Sequence, residues 1–406
     1  MEPLVFLTAL GIIFLVGIIS TVISGKLKIP NILLLIIAGI IIGNIKYKGS
    51  QLISFPEIFL TSIGILALVM VVFDASSRFN LKEVDTFSVR AIKLVVIFLI
   101  LNLIFLTTAT KLIFGINSAI LAAVFAALMS GTDTMAIMTM LKSSKTRVVK
   151  ILEFESIINT PIVVIIPFLL IEFVKSVDIQ LVYTKFIEQI APFLQQFVSG
   201  LGAGLLIGII ALKLMKKQYS ETLSPLALIT SALLAYILAE NLGGDGVIAV
   251  TVMGLIFGSS YVKEKSHLQE FSSLFSNTLE ILVFVLVGMI TTIPLTAKFL
   301  ASSLALFALL LAIRFIAVNL TFKKGEFSAK EKLFMALNAQ KGISIAVITF
   351  MLMAEYAKNL GTTPGIAEIP IITNLSLAFM IYSIIVSTVV VKFSGFFIKE
   401  KIEQPK

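Results

Sequence analysis

Long apolar stretches recur almost end to end along this chain, and that recurrence leaves few folds open. Inside hydrocarbon no water satisfies the backbone amides and carbonyls, so only helices and closed barrels can cross a bilayer. Stretches of roughly 17 to 25 apolar residues suit helical spans. Thirteen can be laid down, at 4–23, 29–44, 57–75, 91–112, 117–141, 148–174, 192–214, 222–240, 246–260, 271–291, 299–321, 331–355 and 368–392. The composition agrees, with 58% hydrophobic and 14% charged residues and a mean hydropathy of +1.07. The chain therefore reads as an all-α polytopic membrane protein rather than a soluble one.

The net charge of +9 would suit nucleic acid, but its placement follows loop parity instead. Loops after odd-numbered spans carry Lys26 and Lys28; Arg78, Lys82, Arg90 and Lys93; and Lys142, Lys145, Arg147 and Lys150. The same side holds Lys213, Lys216 and Lys217; Lys263 and Lys265; Lys323, Lys324, Lys330 and Lys332; and the tail from Lys392 to Lys406. The opposite side has only Lys46, Lys48, Lys111, Lys175, Lys185, Lys298 and Lys358. By the positive-inside rule the N-terminus is expected outside and the C-terminus in the cytoplasm of a cell membrane, which requires an odd number of spans.

Met1-Glu2-Pro3 offers no basic leader before the first span, so that span is expected to be a retained helix, with no soluble domain before it or after span 13. The absence of cysteine excludes disulfides and thiol chemistry, and His267, the single histidine, excludes a histidine-rich metal site. No nucleophile and base stand in a catalytic arrangement, so no enzyme and no cofactor are expected.

Two spans are interrupted at corresponding places. Span 5 contains Ser130-Gly131-Thr132-Asp133, and span 12 contains Asn338-Ala339-Gln340-Lys341-Gly342. Either glycine alone could be a packing glycine. Matched breaks in two sets of six spans, one with an acid and one with a base, point to an inverted-repeat transporter whose broken helices meet near the midplane.

The remaining ionisable residues at depth need partners or water. Asp133 can face half-helix N-termini or coordinate an ion with the Thr132 carbonyl, while Lys341 can offset half-helix C-termini. Arg314, mid-span, needs a carboxylate, and Glu155 is the best placed; the pair reads as structural. Asp74 either snorkels from the end of span 3 or serves as a gate or ion ligand. Ser156 and Asn159 share a helix face, and Thr160 follows, so all three can supply neutral oxygens to a cation. Glu280 has no evident partner, which leaves a boundary error or a watery crevice.

At these residues the chain resembles the NhaP-like sodium/proton antiporters of the monovalent cation/proton antiporter superfamily. Ser130-Gly131-Thr132-Asp133-Thr134, followed by Ala136-Ile137, is similar to the family's Thr-Asp-Pro unwound segment. Phe154-Glu155-Ser156-Ile157-Ile158-Asn159 is similar to its Glu-Ser-x-x-Asn-Asp segment. Gly244 through Gly258 resembles its glycine-rich span, Arg314 sits in the expected context, and Lys341-Gly342-Ile343-Ser344 resembles its Arg-Gly-x-x-Ser segment.

The resemblance implies two inverted six-helix repeats and a homodimer. A core bundle (91–174 and 299–392) would slide against a dimerisation bundle (1–75 and 222–291), with 192–214 as linker helix and 393–406 as tail. It also implies an ion site of Asp74, Thr132, Asp133, Ser156 and position 160, beside a structural Glu155 and Arg314 pair. The expected function is exchange of Na+, K+ or Li+ for protons. One residue departs from the pattern: Thr160 stands where the family has the aspartate that alternates between proton and cation. A hydroxyl coordinates a cation but does not titrate near neutrality. If protons are coupled, another acid must carry them, and Asp133 and Asp74 are the candidates; cation movement without proton coupling is the alternative. A non-transporting ion or lipid sensor is a third reading, weakened by the lack of any signalling domain in the sequence.

Overall fold

The computed structural model describes residues 3–27, 29–47, 50–51, 53, 55–80, 86–133, 146–176, 186–217, 220–290, 293–294, 296–323, 325–358 and 368–398. These residues form helices α1 (Pro3–Leu27), α2 (Asn31–Asn44), α3 (Glu57–Ser77), α4 (Thr86–Leu101), α5 (Thr107–Phe114), α6 (Ala119–Leu128), α7 (Arg147–Ser176) and α8 (Phe186–Lys217). The second half adds α9 (Leu223–Asn241), α10 (Gly246–Ser259), α11 (Lys265–Ile290), α12 (Ala297–Thr321), α13 (Ala329–Leu337), α14 (Ile343–Lys358), α15 (Ile369–Lys392) and the short α16 (Ser394–Phe397). The only pairing of strands among the described residues is a hairpin of Lys46–Tyr47 with Ser50–Gln51.

The helices lie where the apolar stretches place them, because each stretch has the length that satisfies its own backbone across hydrocarbon. Eight helices of the described residues are long and apolar enough to cross a membrane. The shorter apolar helices include α6, after which the chain is non-helical as far as Asp133, and α14, which follows the non-helical stretch of span 12. The second half of span 5, including Thr134, Ala136 and Ile137, lies outside the described residues. Span 4 hides a feature that periodicity does not reveal: α4 and α5 are joined by a π-helical turn, Asn102–Leu106.

Two sets of helices face one another. In the first, α11 packs on α1, α2, α3 and α9, and α10 packs on α3 and α9, while α8 lies along α9 and α10. In the second, α7 packs on α4 and α6, and α12 packs on α4, α5, α13 and α15. Helix α14 touches both sets, through α3 and α11 on one side and α7 and α15 on the other. The tightest seam in the first set is between α2 and α11. A Cβ at Gly288 would stand 2.9 Å from the Gly39 Cα, so the backbones touch where both residues lack a side chain. In hydrocarbon, such close packing rather than water exclusion holds helices together.

Candidate ion-binding site

The two breaks meet. After α6 ends, the chain runs without helix to Asp133, and it does the same from Asn338 to Gly342 before α14 begins. The Asp133 N–H donates to the Gln340 carbonyl at 2.8 Å, joining one break to the other. Lys341 reaches back across the crossing. Its Nζ donates to the carbonyls of Met129 (2.6 Å) and Gly131 (2.7 Å), which the end of α6 leaves without helical partners. Its own N–H donates to Ser383 Oγ at 3.0 Å. A Cβ at Gly342 would collide with the Asp133 carboxylate, so that carboxylate lies against the amide end of α14. The two charged residues thus sit at opposite kinds of helix end.

Asn102, which opens the π turn, is fully buried and donates through Nδ2 to Ser130 Oγ at 3.0 Å. Ser130 Oγ in turn donates to the Ala126 carbonyl at 3.0 Å. Sequence reading passed over Asn102, although a lone amide inside span 91–112 was the available signal. π-Turns recur at functional sites because they shift which side chain faces inward.

Glu155 and Arg314 meet as expected from the sequence. Nη1 and Nη2 contact the two carboxylate oxygens at 2.5 and 2.7 Å, and both side chains are wholly buried. The Arg314 guanidinium lies over the Phe98 ring, 4.7 Å from its centre. Thr132 Oγ1 donates to Glu155 Oε1 at 3.2 Å, so the pair also braces the first break.

Beside this dry pair is a cavity of about 740 Å³ between the two sets of helices. Thr132, Asp133, Ser156 and Thr160 line it from one side, and Asp74, Arg78, Ser276, Asn277 and Glu280 from the other. Asn159 is not a lining residue; it is buried, and its Nδ2 donates to the Ser130 carbonyl (2.8 Å) and to Thr132 Oγ1 (3.1 Å). It clamps the break by its amide nitrogen. Thr160 Oγ1 donates back to the Ser156 carbonyl at 2.9 Å, one turn earlier. That leaves its oxygen lone pairs as the part available to a cation.

Asp74 does not snorkel free. Arg78 Nε lies 3.1 Å from its Oδ2, and Ser273 Oγ donates to its Oδ1 at 2.9 Å. Glu280, which the sequence left without an assignment, lines the cavity and is half-buried. Helical rotation brings it to the same face of α11 as Ser276 and Asn277, one turn away.

Two helices broken where they cross, over a buried ion pair and beside an acid-lined cavity, define the class of membrane proteins built as broken-helix ion transporters. The chain belongs to the sodium/hydrogen exchanger family, whose transmembrane model matches residues 10–399. It is 24% identical over 389 residues to the probable Na(+)/H(+) antiporter 2 of Methanocaldococcus jannaschii, covering 90% of this chain and 88% of that one. It is 24% identical over 340 residues to the K(+)/H(+) antiporter NhaP of Alkalimonas amylolytica, covering 82% of this chain but 58% of that longer protein. In three dimensions it is similar to the sodium proton antiporter MjNhaP1 of Methanocaldococcus jannaschii at pH 8. The TM-score is 0.77 at 20% identity, covering 97% of this chain and 98% of that one. The NhaP-like resemblance seen in the motifs is thereby borne out, as is the multi-pass, all-helical antiporter fold.

Proposed function

We propose that this protein exchanges a monovalent cation, Na+, K+ or Li+, for protons across a cell membrane by alternating access. The observation that carries this reading is the cavity itself. It brings Asp133, held at the crossing of the two breaks, together with the oxygens of Thr132, Ser156 and Thr160, a set that suits a partly dehydrated monovalent cation. Family membership supports the same reading.

In this reading the chain crosses the membrane thirteen times as two inverted repeats, with the N-terminus outside and the C-terminus in the cytoplasm. The bundle of spans 4–6 and 11–13 moves against spans 1–3 and 8–10, the latter forming a homodimer in the bilayer. Asp133 and the hydroxyls hold the cation, Asp74 guides it at the cavity edge, and Asn159 positions the break rather than coordinating. Lys341 offsets the carbonyl end of α6, and Glu155 with Arg314 is scaffold.

A second reading has one specific observation in its favour. Thr160 replaces a titrating acid, and its hydroxyl proton is already given to Ser156, so the cavity could pass cations without coupling them to protons. Reconstituted vesicles decide between the two. Under exchange, an imposed pH gradient drives cation-dependent proton flux somewhere in roughly the pH 5 to 9 range where carboxyls can titrate when desolvated. Tracer cation uptake that follows membrane potential and ignores the pH gradient overturns exchange in favour of the uncoupled reading.

A further inference from the structure

We propose that Glu280 is the carboxyl that gives up a proton as the cation enters the cavity, the task that position 160 cannot perform with a threonine. The proposal rests on the exchange reading above and adds the residue that couples it.

Four acids lie at depth around the crossing, and their surroundings differ. Glu155 is locked by both guanidinium nitrogens of Arg314. Asp74 is held by Arg78 and Ser273. Asp133 sits against the amide end of α14. Glu280 has no hydrogen bond or ion pair to any described residue, yet it lines the same 740 Å³ cavity from the opposite wall. A carboxyl in such a place is stable either protonated or beside a cation, and bare ionisation is the costly state.

The charged groups that face it are Asp133 from the first break and Asp74 and Arg78 from α3. The cavity-facing residues of α1 (Ser24, Gly25), α2 (Asn31, Ile32) and α14 (Ile343, Ser344, Ile345) carry no charge, and α9 contributes none. Asp74 and Arg78 offset each other, and Asp133 is the acid that shares the cavity with Glu280. Two carboxylates across one cavity admit one positive occupant, proton or cation.

The step balances without another reactant. As the cation arrives, the Glu280 O–H bond breaks and its proton leaves with cavity water through the open face. The cation then neutralises the new carboxylate, so the charge in the cavity is unchanged. When the cavity opens to the other face, the cation departs and the carboxylate takes a proton from that side. One cation for one proton follows, with no net charge moved.

The test measures protons released from the purified full chain on addition of Na+, and in parallel K+, together with tracer Na+ exchange for unlabelled Na+ in vesicles. The expected result is that Glu280→Gln loses most of the proton release and that its remaining tracer exchange no longer varies with pH, since proton uptake and cation binding are linked only through the titrating group. Thr160→Asp in the Glu280→Gln background restores release. If Glu280→Gln does not fold, Glu280→Asp carries the test, with release retained at a shifted midpoint pH. A coupled wild type whose release and pH profile are unchanged by these substitutions overturns the assignment of Glu280 alone. A wild type that exchanges tracer with no proton release at any pH overturns the exchange reading and this assignment with it.

Discussion

Glu155 and Glu280 are both glutamates at membrane depth, on opposite sides of the same crossing. Glu155 faces a guanidinium in a site without exposed surface, with Thr132 completing its contacts. Glu280 faces open volume and the Asp133 wall. A charge in a low dielectric is tolerable when fully paired, and removing either partner then costs most. A charge beside a water-filled volume can change state instead. In the proposed reading the same residue type serves as scaffold in one place and as a titrating group in the other, and the geometry around it sets which.

Substitutions can break this comparison. Arg314→Ala leaves Glu155 buried without its partner and is expected to cost about 3–5 kcal/mol, read as a large fall in thermal unfolding temperature in detergent. A fall no larger than that of Glu280→Gln would erase the distinction between the dry and wet acids. Lys341→Met strips two carbonyls at the end of α6 of their donor. It is expected to cost about 1–3 kcal/mol, measured by the same unfolding scan, and to lower transport because Asp133 is tied to the adjacent backbone.

Gly342→Ala places a methyl group into the Asp133 carboxylate. Overpacking of this kind costs about 1–3 kcal/mol, and cation affinity by calorimetry is expected to weaken more than stability does. Asp133→Asn, on the cavity side, is expected to change stability by less than about 1 kcal/mol, as a near-isosteric change at a partly exposed position does. Cation-induced proton release and tracer uptake in vesicles should nevertheless be lost. A variant that unfolds like Arg314→Ala would move Asp133 from the wet region to the scaffold.

How much of this was legible in the sequence depended on whether the cause was local. The spans were legible because a hydrocarbon thickness fixes helix length, and both breaks were legible because Gly131 and Gly342 sit beside polar residues in otherwise apolar runs. Arg314 could be paired with Glu155 because a guanidinium at depth leaves few alternatives. The role of Asn159 was not legible: spacing puts it near Ser156, but spacing does not say whether its oxygen or its nitrogen faces the break. In the structure the nitrogen does. Glu280 escaped for a different reason. Its surroundings come from α2, α3 and the first break, and nothing near it in sequence states which way that face of α11 turns. The π turn at Asn102 was hidden because one extra residue in a turn leaves apolar composition unchanged.

The hydrogen bond from the Asp133 amide to the Gln340 carbonyl has a consequence for how the crossing can change shape. With the two Lys341 bonds to the Met129 and Gly131 carbonyls, it rivets segments far apart in the chain and leaves neither segment free to advance alone. Lengthening one loop by a residue would pull the rivet out of register unless the other loop were lengthened to match. The crossing is therefore a unit of inheritance as well as of motion, and chimaeras that exchange one break between relatives should fail where those exchanging both succeed.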